Sequence, residues 1–335
     1  MDDATLHEAG ELEALRRFLP LLPEGDATAV GPGDDAAVVA APDGRFVVTT
    51  DTMLEGADFR LGWSRWHDLG WKAVATNLID VAAMGARPTS LVVALAVPPS
   101  TRIGALEELA RGLGDAIAAM APGVGVVGGD LGTSRHAVIA VTAFGDLEGR
   151  PPVLRSGARP GDAVWVVGDL GRAATGLRHL FVEAVDEAAE PDRDAAELLR
   201  AGAHGASIAA QLAPVTPIGA GTLLADLGAT AMLDVSDGLA LDAARVARAS
   251  HVRIALDEAA VAAASPDAAL AAALHGGEDH ALLVTLPAGV APPAELAGHP
   301  VRRIGRVEQA AQGAGDVTLD GEPLEPRGWD PYRAG

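Results

Sequence analysis

The sequence predicts an α+β protein in two domains, an N-terminal α/β domain with a mixed sheet and a C-terminal α+β domain. Apolar runs of strand length and longer helix-like runs follow one another in mixed order, neither a strict βαβ repeat nor all strand. Gly145, Gly149, Pro151, Pro152, Gly157, Pro160 and Gly161 cluster midway and divide the chain into 1–148 and 149–335. At 335 residues the chain is long enough for two domains of ordinary size.

Residues 6–19 read as an opening helix ended by Pro20 and Pro23. Residues 36–40 and 45–50 flank Pro42-Asp43-Gly44 and read as a hairpin. A helix over 67–84 stops at Gly85 and Pro88, and a strand over 91–97 stops at Pro98-Pro99. A helix over 101–120 and strands over 124–127 and 137–144 complete the first domain. The second opens with a strand at 163–167 and a long helical region to about 210, interrupted by Pro214 and Pro217. A helix near 220–227, a strand at 229–235, a helix at 239–250 and a strand at 252–256 follow. An alanine-rich helix over 259–274 and strands at 281–286 and 301–307 close it.

Hydrophobic residues make up 49% of the chain but aromatics only 3%, so the core must rest on Ala, Val and Leu. Cysteine is absent, which excludes disulfides, thiolate metal sites and cysteine nucleophiles. No apolar stretch reaches the roughly 18 residues that span a bilayer, and the acidic N-terminus is unlike a signal peptide. The expectation is a soluble, cytoplasmic protein. A formal charge of −21 argues against nucleic-acid and anionic-membrane partners. It would also repel an anionic substrate, so local cations must intervene. Lys72 is the single lysine. The histidines are scattered without evident ligand spacing and read as structural.

Five acidic motifs are spread along the chain, most of them where an apolar run gives way to glycine or a polar turn: Gly33-Asp34-Asp35, Thr49-Thr50-Asp51, Asn77-Leu78-Ile79-Asp80, Gly128-Gly129-Asp130 and Asp234-Val235-Ser236-Asp237-Gly238. Like charges about 4 Å apart repel by roughly 4 kcal/mol at an effective dielectric near 20. If the motifs converge, divalent metal must sit among them, and oxygen ligands without sulfur point to magnesium. Each motif alone also has a plainer reading. Asp34 and Asp35 suit a Gly/Pro turn, Asp51 and Ser236 suit helix caps, and the paired glycines suit a tight turn. Asp80 resists that treatment, because Leu78, Ile79, Val81, Ala82, Ala83 and Met84 around it are apolar. On a helix, Lys72, Thr76 and Asp80 share one face. The glycines at 128–129 would also let backbone amides approach a phosphate. There is no G-x-x-x-x-G-K-[ST] cradle, no kinase catalytic-loop pattern and no H-E-x-x-H.

Taken together, GPGDDAAVV (31–39), TTDTMLEG (49–56), WKAVATNLIDVAAMGARP (71–88), GGDLGTS (128–134), RSGARPGDAVWVVG (155–168), LDVSDGLALD (233–242) and GGEDHALLV (276–284) resemble the thiamine-monophosphate kinase family. That family sits in a superfamily with aminoimidazole ribonucleotide synthetase and selenophosphate synthetase. The resemblance implies an N-terminal ATP- and Mg-binding domain whose strands pair across a homodimer, and a C-terminal domain completing the nucleotide and substrate site. It implies phosphorylation of thiamine monophosphate by ATP. The implied Mg2+ ligands are Asp35, Thr49, Thr50, Asp51, Asp80, Asp130, Asp234 and Asp237. The implied ATP contacts are Gly129, Asp130, Arg155 and Ser236, and Asp80, Asp130 and Arg155 are the implied catalytic residues. Substrate would meet Glu278 and Trp329, with Asp58 standing where many relatives carry a histidine.

A phosphate monoester has a second pKa near 6, so such an acceptor is largely ionised at neutral pH and needs no general base. The obstacle is charge, which several Mg2+ and Arg155 would neutralise while aligning donor and acceptor. Two rivals remain. A synthetase of the same superfamily would carry a D-G-V-G-T-K-like segment or a reactive cysteine, and the chain has Asp51-Thr52-Met53-Leu54-Glu55-Gly56 and no cysteine. A non-catalytic divalent-cation binder would explain the carboxylates but not Arg155, the paired glycines or Trp329.

Overall fold

Two principal sheets, of four and eight strands, organise the chain, with a small two-stranded sheet beside them. A computed structural model describes residues 4–9, 11–30, 38–310 and 315–329. The chain divides into two compact units, Met1–Val81 with Arg87–Gly149 and Ala184–Glu197, and Ala82–Ala86 with Arg150–Glu183 and Leu198–Gly335. No described helix is long and apolar enough to cross a membrane.

In the first unit, α1 (Leu6–Ala9) and α2 (Glu11–Phe18) divide the predicted opening helix. β1 (Thr28–Val30) and β2 (Val38–Val39) pair with each other, and β3 (Val47–Leu54) lies in the four-stranded sheet. Residues 36 and 37 of the predicted hairpin lie outside the described residues, and among the described ones its two arms do not pair with each other. β3 instead takes an eight-residue antiparallel register with a distant strand, far more pairing than the short hairpin offered. α3 (Trp66–Ala83) leads to β4 (Arg87–Val97), α4 (Ile103–Met120), β5 (Gly125–Thr133) and β6 (Val138–Asp146), and the sheet order is β3-β6-β4-β5. One face of this sheet is buried, through Leu91, Val93 and Leu95 of β4 and Ile139, Val141 and Ala143 of β6. α3 is apolar nearly all round and correspondingly buried, as a core helix must be.

The second unit is built on the order β14-β13-β9-β12-β7-β10-β8. Its strands are β7 (Ala163–Val167), β8 (Ala231–Val235), β9 (Val252–Leu256), β10 (Ala281–Leu286), β11 (Glu295–Leu296), β12 (His299–Gln309), β13 (Asp316–Leu319) and β14 (Glu322–Pro323). β13 and β9 pair in parallel while their described neighbours pair antiparallel, so the sheet is mixed. The predicted long helical region resolves into α5 (Arg172–Glu183), α6 (Arg193–Ala201) and α7 (Gly205–Leu212). α8 (Ala220–Asp226) and α9 (Leu239–Ser250) follow. The predicted helix over 259–274 is two, α10 (Glu258–Ala263) and α11 (Leu270–His275). Pro266 lies between them and cannot donate the amide a continuous helix needs. Val164 and Val166 of β7, Leu233 of β8, Leu283 of β10 and Val246 of α9 are all in the core of this unit.

Candidate active site

The first unit joins two of the predicted motifs directly. Thr49 Oγ1 donates to Asp80 Oδ2 at 3.1 Å, linking β3 to α3 across 31 residues of sequence. Asp51 lies two residues along β3 and therefore on the same face. Among the described residues its carboxylate accepts only the Thr52 amide, at 2.8 Å, and it is exposed. One turn before Asp80, Asn77 donates to the Ala73 carbonyl at 2.9 Å. Asn77 is 1% exposed, and its Oδ1 has no hydrogen-bond partner among the described residues.

Thr50 points the other way. Its Oγ1 donates to the Val141 carbonyl at 2.9 Å and accepts from Thr142 at 3.2 Å. Asp130 shares that opposite face, since Thr52, Ala140, Ala94 and Asp130 are register partners across the four strands. Asp51 and Asp130 thus stand on the two edge strands, three strand spacings or about 14 Å apart along the sheet. Thr50 and Asp130 do not join the Thr49–Asp80 cluster in this unit. Asp130 is exposed and forms no ion pair among the described residues. Asp35 lies outside the described residues.

Gly128 and Gly129 are in the middle of β5, not in the turn expected of them. The pairing of β4 with β5 slips by one residue between Leu91 and Val92, so β5 bulges at Val127. A side chain on Gly129 would run into the Val93 carbonyl. The neighbouring strand is thus one sufficient reason for that glycine. Asp58 also has a local task, because its Oδ2 accepts the Leu54 amide at 2.7 Å and closes the turn after β3.

In the second unit, three segments converge. β8 ends at Asp234 and Val235, and the turn Ser236-Asp237 leads into α9. The Glu278 amide donates to the Ser236 carbonyl at 2.7 Å, and the Trp329 amide to the Asp237 carbonyl at 2.9 Å. Asp234, Ser236, Asp237, Glu278 and Trp329 are therefore brought together, with the indole 47% exposed. Arg155 is exposed on the same unit.

The acids here already have protein partners. Asp237 Oδ2 is 2.6 Å from Arg245 Nη2, and Asp234 Oδ2 is 3.2 Å from His280 Nδ1. Glu278 accepts from Gln211 Nε2 at 3.1 Å. Two further acids lie within motifs the sequence singles out, where no role was assigned to them. Asp242 is fully buried, accepts the Asp237 amide at 3.0 Å and pairs with Arg245, and burial pushes its carboxyl up to about 6. Asp279 accepts the Gly171 and Ala173 amides at 2.6 and 3.2 Å, anchoring the start of α5, and burial pushes it up to about 7. Asp242 lies within LDVSDGLALD and Asp279 within GGED, but nothing in either pattern separates a scaffold acid from a ligand.

The whole chain has known relatives. Residues 33–147 match the family described as AIR synthase related protein, N-terminal domain, and 159–317 match its C-terminal domain. The thiamine-monophosphate kinase of Mycobacterium tuberculosis (strain ATCC 25618 / H37Rv) is 42% identical over 336 residues, covering 96% of this chain and 91% of its own. The crystal structure of thiamine-monophosphate kinase from Stenotrophomonas maltophilia K279a is 32% identical with a TM-score of 0.76, covering 93% of this chain and 97% of that one. AaThiL complexed with AMPPCP and TMP has a TM-score of 0.70 at 29% identity, over 97% and 96% of the two chains. On this agreement of sequence and fold, the chain belongs to the thiamine-monophosphate kinase family of the AIR synthase related proteins.

Proposed function

We propose that this chain transfers a phosphoryl group from ATP to thiamine monophosphate, giving thiamine diphosphate and ADP. The observation that carries the reading is the likeness, over 97% of this chain, to a kinase chain complexed with AMPPCP and TMP. Arg155 and Ser236 would meet the nucleotide together with Gly129 and Asp130. Glu278, Trp329 and Asp58 would meet the acceptor, whose phosphate is largely ionised at neutral pH and attacks without a general base. Asp80 and Asp130 with Arg155 would do the catalytic work of holding the phosphates in line.

The donor set fits Mg2+. Thr49, Asp51 and Asp80 offer hard oxygen ligands on one face of the sheet, and the unpartnered Oδ1 of buried Asn77 lies one turn from Asp80; Asp130, on the opposite face, enters the set through the family resemblance alone. Thr50, Asp234 and Asp237 belong to the same proposed set, as does Asp35. When bound, the metal neutralises phosphate charge that the acidic chain would otherwise repel.

A homodimer completes the proposal. Val48 and Leu54 alternate with Asp51 on β3 and are 54% and 44% exposed, on the sheet face away from Asp80. Phe46, 59% exposed, packs its ring 5.8 Å from Phe144. Exposed apolar side chains that flank Thr50 and Thr52 on one sheet face mark an interaction surface, and a second copy would cover them. Val48→Asp should then yield monomers by sedimentation, whereas a retained dimer would place the interface elsewhere.

The activity is tested by ADP release with thiamine, thiamine monophosphate and aminoimidazole precursors side by side. Turnover with thiamine monophosphate alone is expected. Turnover with an aminoimidazole precursor would favour the synthetase reading, and Mg2+ uptake with no turnover the binding-protein reading.

A further inference from the structure

We propose that His179, Glu183 and His204 form a second, imidazole-rich metal site that takes a transition-metal ion of the Zn2+ class and clamps α5 to α7. One ligand atom from each of the three side chains lies within 4.8 Å of the other two. His179 and Glu183 are four residues apart on α5 and project from one face, and His204 stands at the start of α7. The sequence reading passed over these histidines because the third ligand is 21 residues beyond Glu183, across an intervening helix.

The geometry is pre-organised by packing rather than by the ligands. α5 and α7 approach so closely at Gly176 that a side chain there would run into the Ser207 carbonyl. That contact fixes the end of α5 beside the start of α7. His179 and His204 consequently stack, with ring centroids 3.7 Å apart and planes 21° from parallel. His179 Nδ1 lies 2.6 Å from Glu183 Oε1, within hydrogen-bond reach of the carboxylate, and a cation bound between them would replace that hydrogen bond. The His179 side chain is only 14% exposed while that of Glu183 is 44% exposed, so the cluster is seated in the helix pair and open to solvent on one side.

The donor set separates this site from the carboxylates. Two imidazoles and one carboxylate suit Zn2+, Co2+ or Ni2+, whereas Mg2+ prefers oxygen alone. Its place in the fold also gives it a consequence. The opposite ends of the same helices hold the loop that carries Glu278: Asp279 anchors the start of α5, and Gln211 near the end of α7 donates to Glu278. An ion at the other end would brace the pair that presents this loop.

The test is calorimetric titration of the tag-free full chain with Zn2+ in excess Mg2+, which occupies the oxygen sites. One Zn2+ per chain is expected, with a raised melting temperature. His204→Ala and Glu183→Gln should each weaken it by at least about tenfold, and Co2+ should give a visible absorption band that His204→Ala removes. Equal Zn2+ affinity in wild type and the His179→Ala/His204→Ala double variant, or no uptake by the wild type, would overturn the proposal. Glu183→Gln keeps side-chain volume at an exposed position, so its result stands even if the histidine variants fold poorly. None of these readouts depends on kinase activity.

Discussion

The acids of the two units are held in contrasting ways. In the first, Asp51 and Asp130 are exposed on edge strands, and among the described residues Asp51 accepts nothing but a neighbouring amide. In the second, Asp237 and Asp242 share Arg245, Asp234 faces His280, and Glu278 is held by Gln211. Negative charge without a protein counter-charge draws a cation from solution more strongly than charge already met by a guanidinium. The contrast teaches that an acidic motif in this sequence can mean either a ligand or a brace, and that the neighbouring cation decides which.

The sharpest test of the first unit is Asp80→Asn. Turnover of thiamine monophosphate should fall by at least about a hundredfold, while the melting temperature without Mg2+ holds or rises as repulsion is relieved. Near-normal turnover would remove Asp80 from the proposed metal set. On the second unit, Arg245→Met strips the counter-charge from fully buried Asp242, so urea denaturation should show a loss of about 3 kcal/mol. A loss below about 1 kcal/mol would mean that the pair is not bracing the turn.

Stabilisation by Mg2+ should distinguish the units directly. It should shrink in Asp51→Asn and Asp130→Asn more than in Asp237→Asn, whose carboxylate Arg245 already holds, and the reverse order would invert the comparison. Trp329→Ala should raise KM for thiamine monophosphate about tenfold and KM for ATP less, and equal effects would make the indole structural.

The smallest effect is a pH slope. Asp242 and Asp279, raised by burial to about 6 and about 7, keep protons in the folded chain that the unfolded chain releases near pH 4. Their contribution to stability is full below that point, declines as pH rises through the folded values and is flat above about pH 8. Asp279→Asn should flatten the upper part of the slope relative to wild type. An unchanged slope would show that the amides of Gly171 and Ala173 keep Asp279 ionised.

Regular elements with clear local signals were legible before any coordinates. Residues 239–250, 252–256 and 281–286 follow their predicted bounds, because apolar periodicity and flanking turn residues act over a few positions. Asp80 was legible as an anomaly, since a carboxylate in an apolar helix has no local explanation. Apart from the helix that Pro266 divides, the failures turn on distant partners. The hairpin gave way to β3–β6 pairing, and Gly129 answers to the Val93 carbonyl of a neighbouring strand. The His179–Glu183–His204 cluster exists only because α5 and α7 pack at Gly176.

Local order along the chain, the family resemblance and the list of acids worth explaining thus come from residue spacing, because backbone propensity and turn chemistry are short-range forces. Which acid meets Arg245, which threonine faces Asp80 and which histidines stack are set by sheet register and helix packing, which join residues tens of positions apart. Spacing along the chain carries no direct record of those distances.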